Sequence, residues 1–132
     1  MSGVSVVRYL LANDSTLTVT VPAARIKAGI LPINTTLPAI SITQISGNRI
    51  DVIKHGSNEH ITERVQVTVL ATTYPQQKEI LELVKHALPA TRGTVNSVVV
   101  DSIEQDFTGP DLYNDDPVIY EQSVDYFVKY IA

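Results

Sequence analysis

Cysteine is absent from the 132 residues, so the chain has no disulfide framework, no thiolate zinc site and no cysteine nucleophile. Long apolar runs are missing too. A bilayer span takes roughly 18–20 apolar residues, and Val4–Ala12 near the start is too short. It also lacks the basic lead-in of a signal peptide. Positive charge is scarce: ten Lys and Arg against fourteen Asp and Glu leave a formal net charge of −4. Nothing electrostatic therefore favours nucleic-acid binding through phosphate contacts. A disordered chain would combine low hydrophobicity with high net charge, whereas here 44% of residues are hydrophobic and 18% charged, with mean hydropathy +0.09. What is abundant is β-branched: Val, Ile and Thr make up about a third of the chain, and these stiff side chains favour strands. At this length the expectation is one strand-rich, soluble domain over residues 1–132, suited to a reducing compartment.

The chain opens on an apolar pattern that reads as a short helix. Ser2 or Ser5 can cap it, Val4, Val7 and Leu11 share a face, and Asn13-Asp14 ends it. Leu17, Val19 and Val21 then alternate with threonines, which is a strand pattern, with a short helical turn as the alternative. Arg25–Ile30 reads as a short strand and Leu31–Pro38 as a loop. Ala39–Ser46 is a strand whose end is marked by Gly47-Asn48. Asn48–His60 is a polar stretch with Gly56-Ser57-Asn58 at its tip. In His60–Thr72, Ile61, Glu63, Val65, Val67 and Val69 fall on one face and Thr62, Arg64, Gln66 and Thr68 on the other. The two strands and the intervening segment predict a long exposed β-hairpin.

Thr73-Tyr74-Pro75-Gln76 is a helix start. Ile80, Leu83, Val84, Ala87 and Leu88 follow as one apolar stripe, and Pro89 and Gly93 close the segment. Thr94–Gln105 reads as a strand whose Val98-Val99-Val100 centre is buried on both faces. Asp106–Pro117 reads as an acidic turn segment and Val118–Ile131 as a final long strand. Adjacent strands broken by one or two helices indicate an α+β fold, with a mainly antiparallel sheet and the helices packed on one face.

Chemistry is sparse. His55, His60 and His86 form no H-x-x-x-H pair and read as surface residues. Asp111, Asp115 and Asp116 lack the alternating ligands and glycine of a calcium loop. No phosphate loop, dinucleotide fingerprint or nucleophile elbow occurs, so no catalytic residue, metal or cofactor is expected. Glu63, on an apolar strand face, invites a catalytic-acid reading, but an ion pair at a sheet edge or interface is the expectation.

Two surface features stand out. Eight of the fourteen acids lie between Gly93 and Val128, while nine of the ten Lys and Arg stand at or before Arg92. Asp106, Asp111, Asp115 and Asp116 surround Gly109-Pro110, where turn chemistry holds carboxylates at the surface. They are candidates for a partner contact or for a pore lining. In the hairpin, Arg49, Ile50, Val52, Ile53 and Lys54 are too apolar a group for a free loop, so they imply contact with a neighbour. The hairpin segment is expected to be mobile until that neighbour orders it.

The order of these segments resembles the tail-completion, or tail-terminator, proteins of long-tailed bacteriophages. The likeness runs over about residues 5–131. Its first half is Leu10-Leu11-Ala12-Asn13-Asp14, Arg25-Ile26 with Gly29, Leu37-Pro38-Ala39-Ile40 and Gln44-Ile45-Ser46-Gly47. Its second half is Arg64-Val65-Gln66-Val67, Leu70-Ala71, Gly93 and Asp125-Tyr126-Phe127. The Thr-rich Ser15–Thr20 stretch departs from the Ala/Leu-rich segment typical of the family. The resemblance implies a non-enzymatic virion protein without cofactor, assembled in the host cytoplasm. It implies a hexameric ring capping the head-proximal end of the tail tube. Its partners would be the tail tube protein and the head–tail connector or stopper, with DNA passing through the lumen unbound and no membrane involved. The alternatives are another neck component (a head-closure or stopper protein), an oligomeric α+β binding domain, or a small hydrolase using His60 or His86.

Overall fold

In a computed structural model, residues 2–32, 35–51, 59–89, 92–115 and 117–131 are described. The first helix, α1 (Gly3–Ala12), is capped by Ser2, whose hydroxyl accepts the Ser5 N–H at 3.1 Å while the Ser5 hydroxyl accepts the Ser2 N–H. Asn13 closes it, donating its side-chain amide to the Tyr9 carbonyl at 2.8 Å. Ser15–Thr20, expected as a strand, is a second short helix, α2. The Asp14 carboxylate accepts the Leu17 N–H at 2.8 Å, and Thr18 bonds back to the Asp14 carbonyl at 2.9 Å. Leu17 and Val21 lie four apart and both are buried, while Val19 is 85% exposed. Capping and that i,i+4 pair overrule the alternation.

A single 3₁₀ turn over Ala23–Arg25 leads into β1 (Ile26–Ala28), which is shorter than expected. The hairpin strands are β2 (Ala39–Asp51) and β3 (Glu59–Ala71). Gly47-Asn48 does not end β2, because the ladder continues through Gly47↔Glu63 to Asp51↔Glu59. The helix α3 (Tyr74–Ala87) starts where expected, with the Thr73 hydroxyl accepting the Gln76 N–H. Its buried stripe is Gln77, Ile80, Leu81, Val84 and Ala87. Leu83 is only partly buried, so the stripe is rotated from the expected one and Leu81 takes the core place.

Thr94–Gln105 is two strands rather than one: β4 (Gly93–Val95) and β5 (Val98–Thr108). Asn96 and Ser97, both at positive φ (47° and 67°), make the tight turn between them. Val98 and Val100 are buried and Val99 is 47% exposed, so the valine centre is buried on one face only. Nor is Asp106–Pro117 a bare turn: β5 runs on to Thr108, and Leu112–Asp115 forms β6. The last strand, β7 (Val118–Ile131), has the expected bounds.

The sheet order is β1-β2-β3-β7-β5-β4, with β6 also on β7. β1 runs parallel to β2; every other pairing is antiparallel. Val65, Val67 and Val69 of β3 and Val124, Tyr126 and Val128 of β7 join Val6, Val7, Leu11, Ile80, Leu81 and Val84 of the helices in one core. Mixed α+β architecture and helices on one face of the sheet are as expected, although the α-helices among the described residues are three. At Gly3 a Cβ would come within 3.1 Å of Val65 Cγ2 and 3.3 Å of Val128 Cβ, so glycine lets α1 settle closely on the sheet.

Of the polar side chains buried on the helix side of the sheet, Glu63 and Gln77 contrast. Glu63, expected in an ion pair, instead accepts the Gly3 N–H at 2.9 Å and the Tyr130 hydroxyl at 2.7 Å, all within the domain. Gln77 is fully buried, and among the described residues neither amide atom finds a hydrogen-bond partner. The Tyr126 hydroxyl shares that condition, and burial pushes its pKa up to about 12. Opposite outcomes follow. Glu63→Leu should destabilise by roughly 1–3 kcal/mol for each buried hydrogen bond lost. Gln77→Leu should stabilise by about 1–3 kcal/mol, because it removes an unsatisfied amide from the core. Urea unfolding of both variants checks this, and a less stable Gln77→Leu would show that the amide has a partner.

Candidate assembly surface

The sheet face opposite the helices carries the alternate residues of β3 and β7. The register sets Arg64 against Phe127, Gln66 against Asp125, Thr68 against Ser123 and Thr62 against Lys129. Strand alternation thus puts polar side chains on this face for the same reason that it puts valines on the other. They satisfy one another. Arg64 donates Nε and Nη2 to Asp125 Oδ2 at 3.0 and 2.8 Å, and Nη2 also meets Asp106 at 2.7 Å. Gln66 donates to the other Asp125 oxygen at 3.2 Å, and the hydroxyls of Thr68 and Ser123 lie 2.9 Å apart. The guanidinium sits 5.2 Å from the Phe127 ring centroid, and the paired carboxylates, Asp125 foremost, raise its pKa.

Shallow concavities cross this face. One of about 330 Å³ has Ile30 and Leu31 at its rim, and another of about 290 Å³ is bounded by Phe107, Pro110 and Leu112. Gln66, Thr68 and Glu121 line both. A more apolar groove of about 530 Å³ lies between Leu31, Pro32, Thr35 and Leu37 on one side and Pro117, Val118 and Ile119 on the other. Ile30 (90%), Phe107 (57%), Leu112 and Tyr113 are large apolar side chains left open to solvent. Large apolar side chains exposed together are usual at surfaces that meet other proteins. Among the described residues no three His, Asp or Glu side chains gather to hold a metal ion.

The acidic segment is tied to the domain by its own cations. Asp111 accepts Lys78 Nζ at 2.7 Å and the Tyr74 hydroxyl at 2.9 Å. Lys78 also reaches Gln122 Oε1 at 2.8 Å, and Gln122 donates to the Gly109 carbonyl at 2.8 Å. Tyr120 lies between Tyr74, which it meets edge-on with centroids 6.1 Å apart, and Tyr113, whose tilted ring is 4.8 Å away. Of the four predicted acids, Asp106 pairs with Arg64, Asp111 with Lys78, and Asp115 accepts the Tyr113 hydroxyl at 3.1 Å. Asp116 lies outside the described residues. The three described acids are therefore not one cluster: Asp106 belongs to the sheet face and Asp111 to the helix α3 end. In the hairpin, Arg49 and Ile50 are placed on β2 by their backbone, whereas Val52, Ile53 and Lys54 lie outside the described residues.

Lys78, Tyr74, Tyr120, Arg64 and Asp125 were not singled out by sequence. The hydrogen-bonded partners of Arg64, Tyr74 and Lys78 stand 33 to 61 positions away, and only the folded sheet and the helix packed on it bring them together. The one available signal was the pair of oppositely charged residues, Arg64 and Asp125, on the outward positions of two long strands.

The family described as "Tail completion protein gp17" matches residues 5–130. Among solved structures, a chain from "Virion of native gene transfer agent (GTA) particle" superposes with a TM-score of 0.71 at 9% identity. The match covers 99% of this chain and 96% of that one, and at such identity the likeness is one of fold. No curated protein matches the chain.

The Lys78–Asp111 tether carries its own pH window. Lys78, and after it the Tyr74 hydroxyl, hold the Asp111 carboxyl below its ordinary value of 3.8. A carboxyl lowered in the folded state favours that state above its ordinary value, and the preference is lost as pH falls through the lowered one. Asp111 in turn raises Lys78 above its ordinary 10.5, so that contribution is lost only as pH rises through the raised value. Asp111→Asn should abolish the acid-side change. In an NMR titration, Tyr74 ring signals of the natural protein should move below about pH 4, and those of the variant should stay put.

Proposed function

We propose a role for this chain from its family: it belongs to the tail completion proteins described as gp17, structural proteins of the bacteriophage tail and components of the virion. Within that class it closes the head-proximal end of the tail tube as a hexameric ring. The ring ends the addition of tube subunits, and its other surface receives the head connector or stopper while DNA passes through the lumen unbound. The observation that carries this reading is the family match from residue 5 to residue 130. A polar sheet face satisfied by its own ion pairs and an open apolar groove support it, because they suit a contact surface.

The charge supports it as well. Each copy carries a formal −4, and a ring multiplies that without a basic stripe to hold phosphate. Arg64, shared by Asp106 and Asp125, and Lys78, on Asp111, offset part of that charge, which leaves the exposed Asp101, Glu104 and Asp115 as carriers of negative surface towards a partner or the lumen. Arg49, Ile50, Val52, Ile53 and Lys54 are assigned to contact with a neighbouring copy or a tube subunit.

Electron microscopy of tails assembled with and without the protein tests the role. Without it, tubes of uncontrolled length are expected. Tubes of normal length that fail to join heads would assign it to the stopper position instead.

A further inference from the structure

We propose that the outer edge of β2, residues 44–51, pairs with the outer edge of β5, residues 101–108, of a second copy of this chain. The sheet would then run on from subunit to subunit. This rests on the ring reading above and specifies how neighbouring copies join.

The two edges are the long unpaired stretches of the described sheet. β2 pairs with β3 throughout, but with β1 only at Ile40, Ser41 and Ile42. β5 pairs with β7 along its length, but with β4 only at Val98, Val99 and Val100. Beyond those points each strand has a partner on one side only, so a row of backbone N–H and C=O groups stays available for another strand. The stretches match in length. They also match in direction: β2, β3, β7 and β5 alternate, so β5 runs opposite to β2. A copy turned about an axis along the strands would set its β5 antiparallel to this β2.

Charge selects that combination. Asp101 and Glu104 stand on the β5 edge with no ion pair among the described residues, whereas Asp106 is held by Arg64, so two β5 edges repel each other. The β2 edge holds Arg49 and Asp51 and is neutral by sequence. Pairing unlike edges makes a head-to-tail contact, which builds rings rather than closed dimers. Each edge also carries a large exposed apolar side chain beside a register shift, Ile45 (51%) on β2 and Phe107 (57%) on β5. Such irregularities restrict which strand can dock.

Light scattering of the full chain after size exclusion tests the pairing. The natural protein is expected as a multimer. Ile45→Lys and, separately, Glu104→Arg should weaken assembly at least tenfold with circular dichroism and Tm unchanged. If Ile45→Lys impairs folding, Glu104→Arg at an exposed position carries the test. Variants that keep the multimer's mass would overturn the edge pairing and leave the ring reading standing. A natural protein monomeric at all concentrations would overturn both.

Discussion

The antiparallel ladder between β3 and β7 is the constraint on which the rest of the molecule depends. It runs from His60↔Ile131 to Ala71↔Tyr120, and every other element is placed by it. Because strand side chains alternate, a slip of one residue would turn Arg64, Gln66 and Asp125 into the core and expose Val65, Val67 and Val124. Glu63 pins the arrangement from the buried side. Its carboxyl joins the first N–H of α1 to the β7 hydroxyl of Tyr130, so helix and ladder share one hydrogen-bonded point, and Gly3 supplies the close approach.

The same ladder divides the molecule into a closed side and an open side. On the closed side three helices cover the valine face. On the open side Arg64, Asp125, Asp106 and Gln66 satisfy each other, so a bare sheet face can stand in water without inviting nonspecific association. What remains unsatisfied is backbone at the sheet margins and apolar surface at Ile30, Phe107 and Leu112. For a structural protein of a phage tail this distribution is coherent, since the interior is settled and the unsettled groups lie where neighbours meet.

Charge follows the same division. Three of the acids in the last third of the chain, Asp106, Asp111 and Asp125, are held by Arg64 and Lys78, residues from β3 and α3. Those pairs orient loops rather than supply much stability, as exposed ion pairs generally do. The Tyr74, Tyr120 and Tyr113 rings and the Gln122 contact to Gly109 hold the β6 end against α3, which keeps the acidic turn in a definite position.

Sequence by itself determined what depends on local pattern and capping. The α+β class, α1 behind Ser2, α3 behind Thr73, the inward valines of β3 and the bounds of β7 were legible because period and caps act over three or four residues. The family resemblance was legible from segment order. Where local signals compete, the structure decided. Leu17–Val21 fits a strand and a helix equally, and burial of both ends chose the helix. Asn96-Ser97 could lie inside a strand or turn it, and pairing of β4 on β5 chose the turn. Which helical face of α3 is buried, Leu81 or Leu83, depended on the sheet it met. The contacts of Glu63, Arg64 and Lys78 were invisible for a stronger reason. Each joins residues at least 33 positions apart, and no local pattern encodes a distance across a register that only the folded sheet establishes.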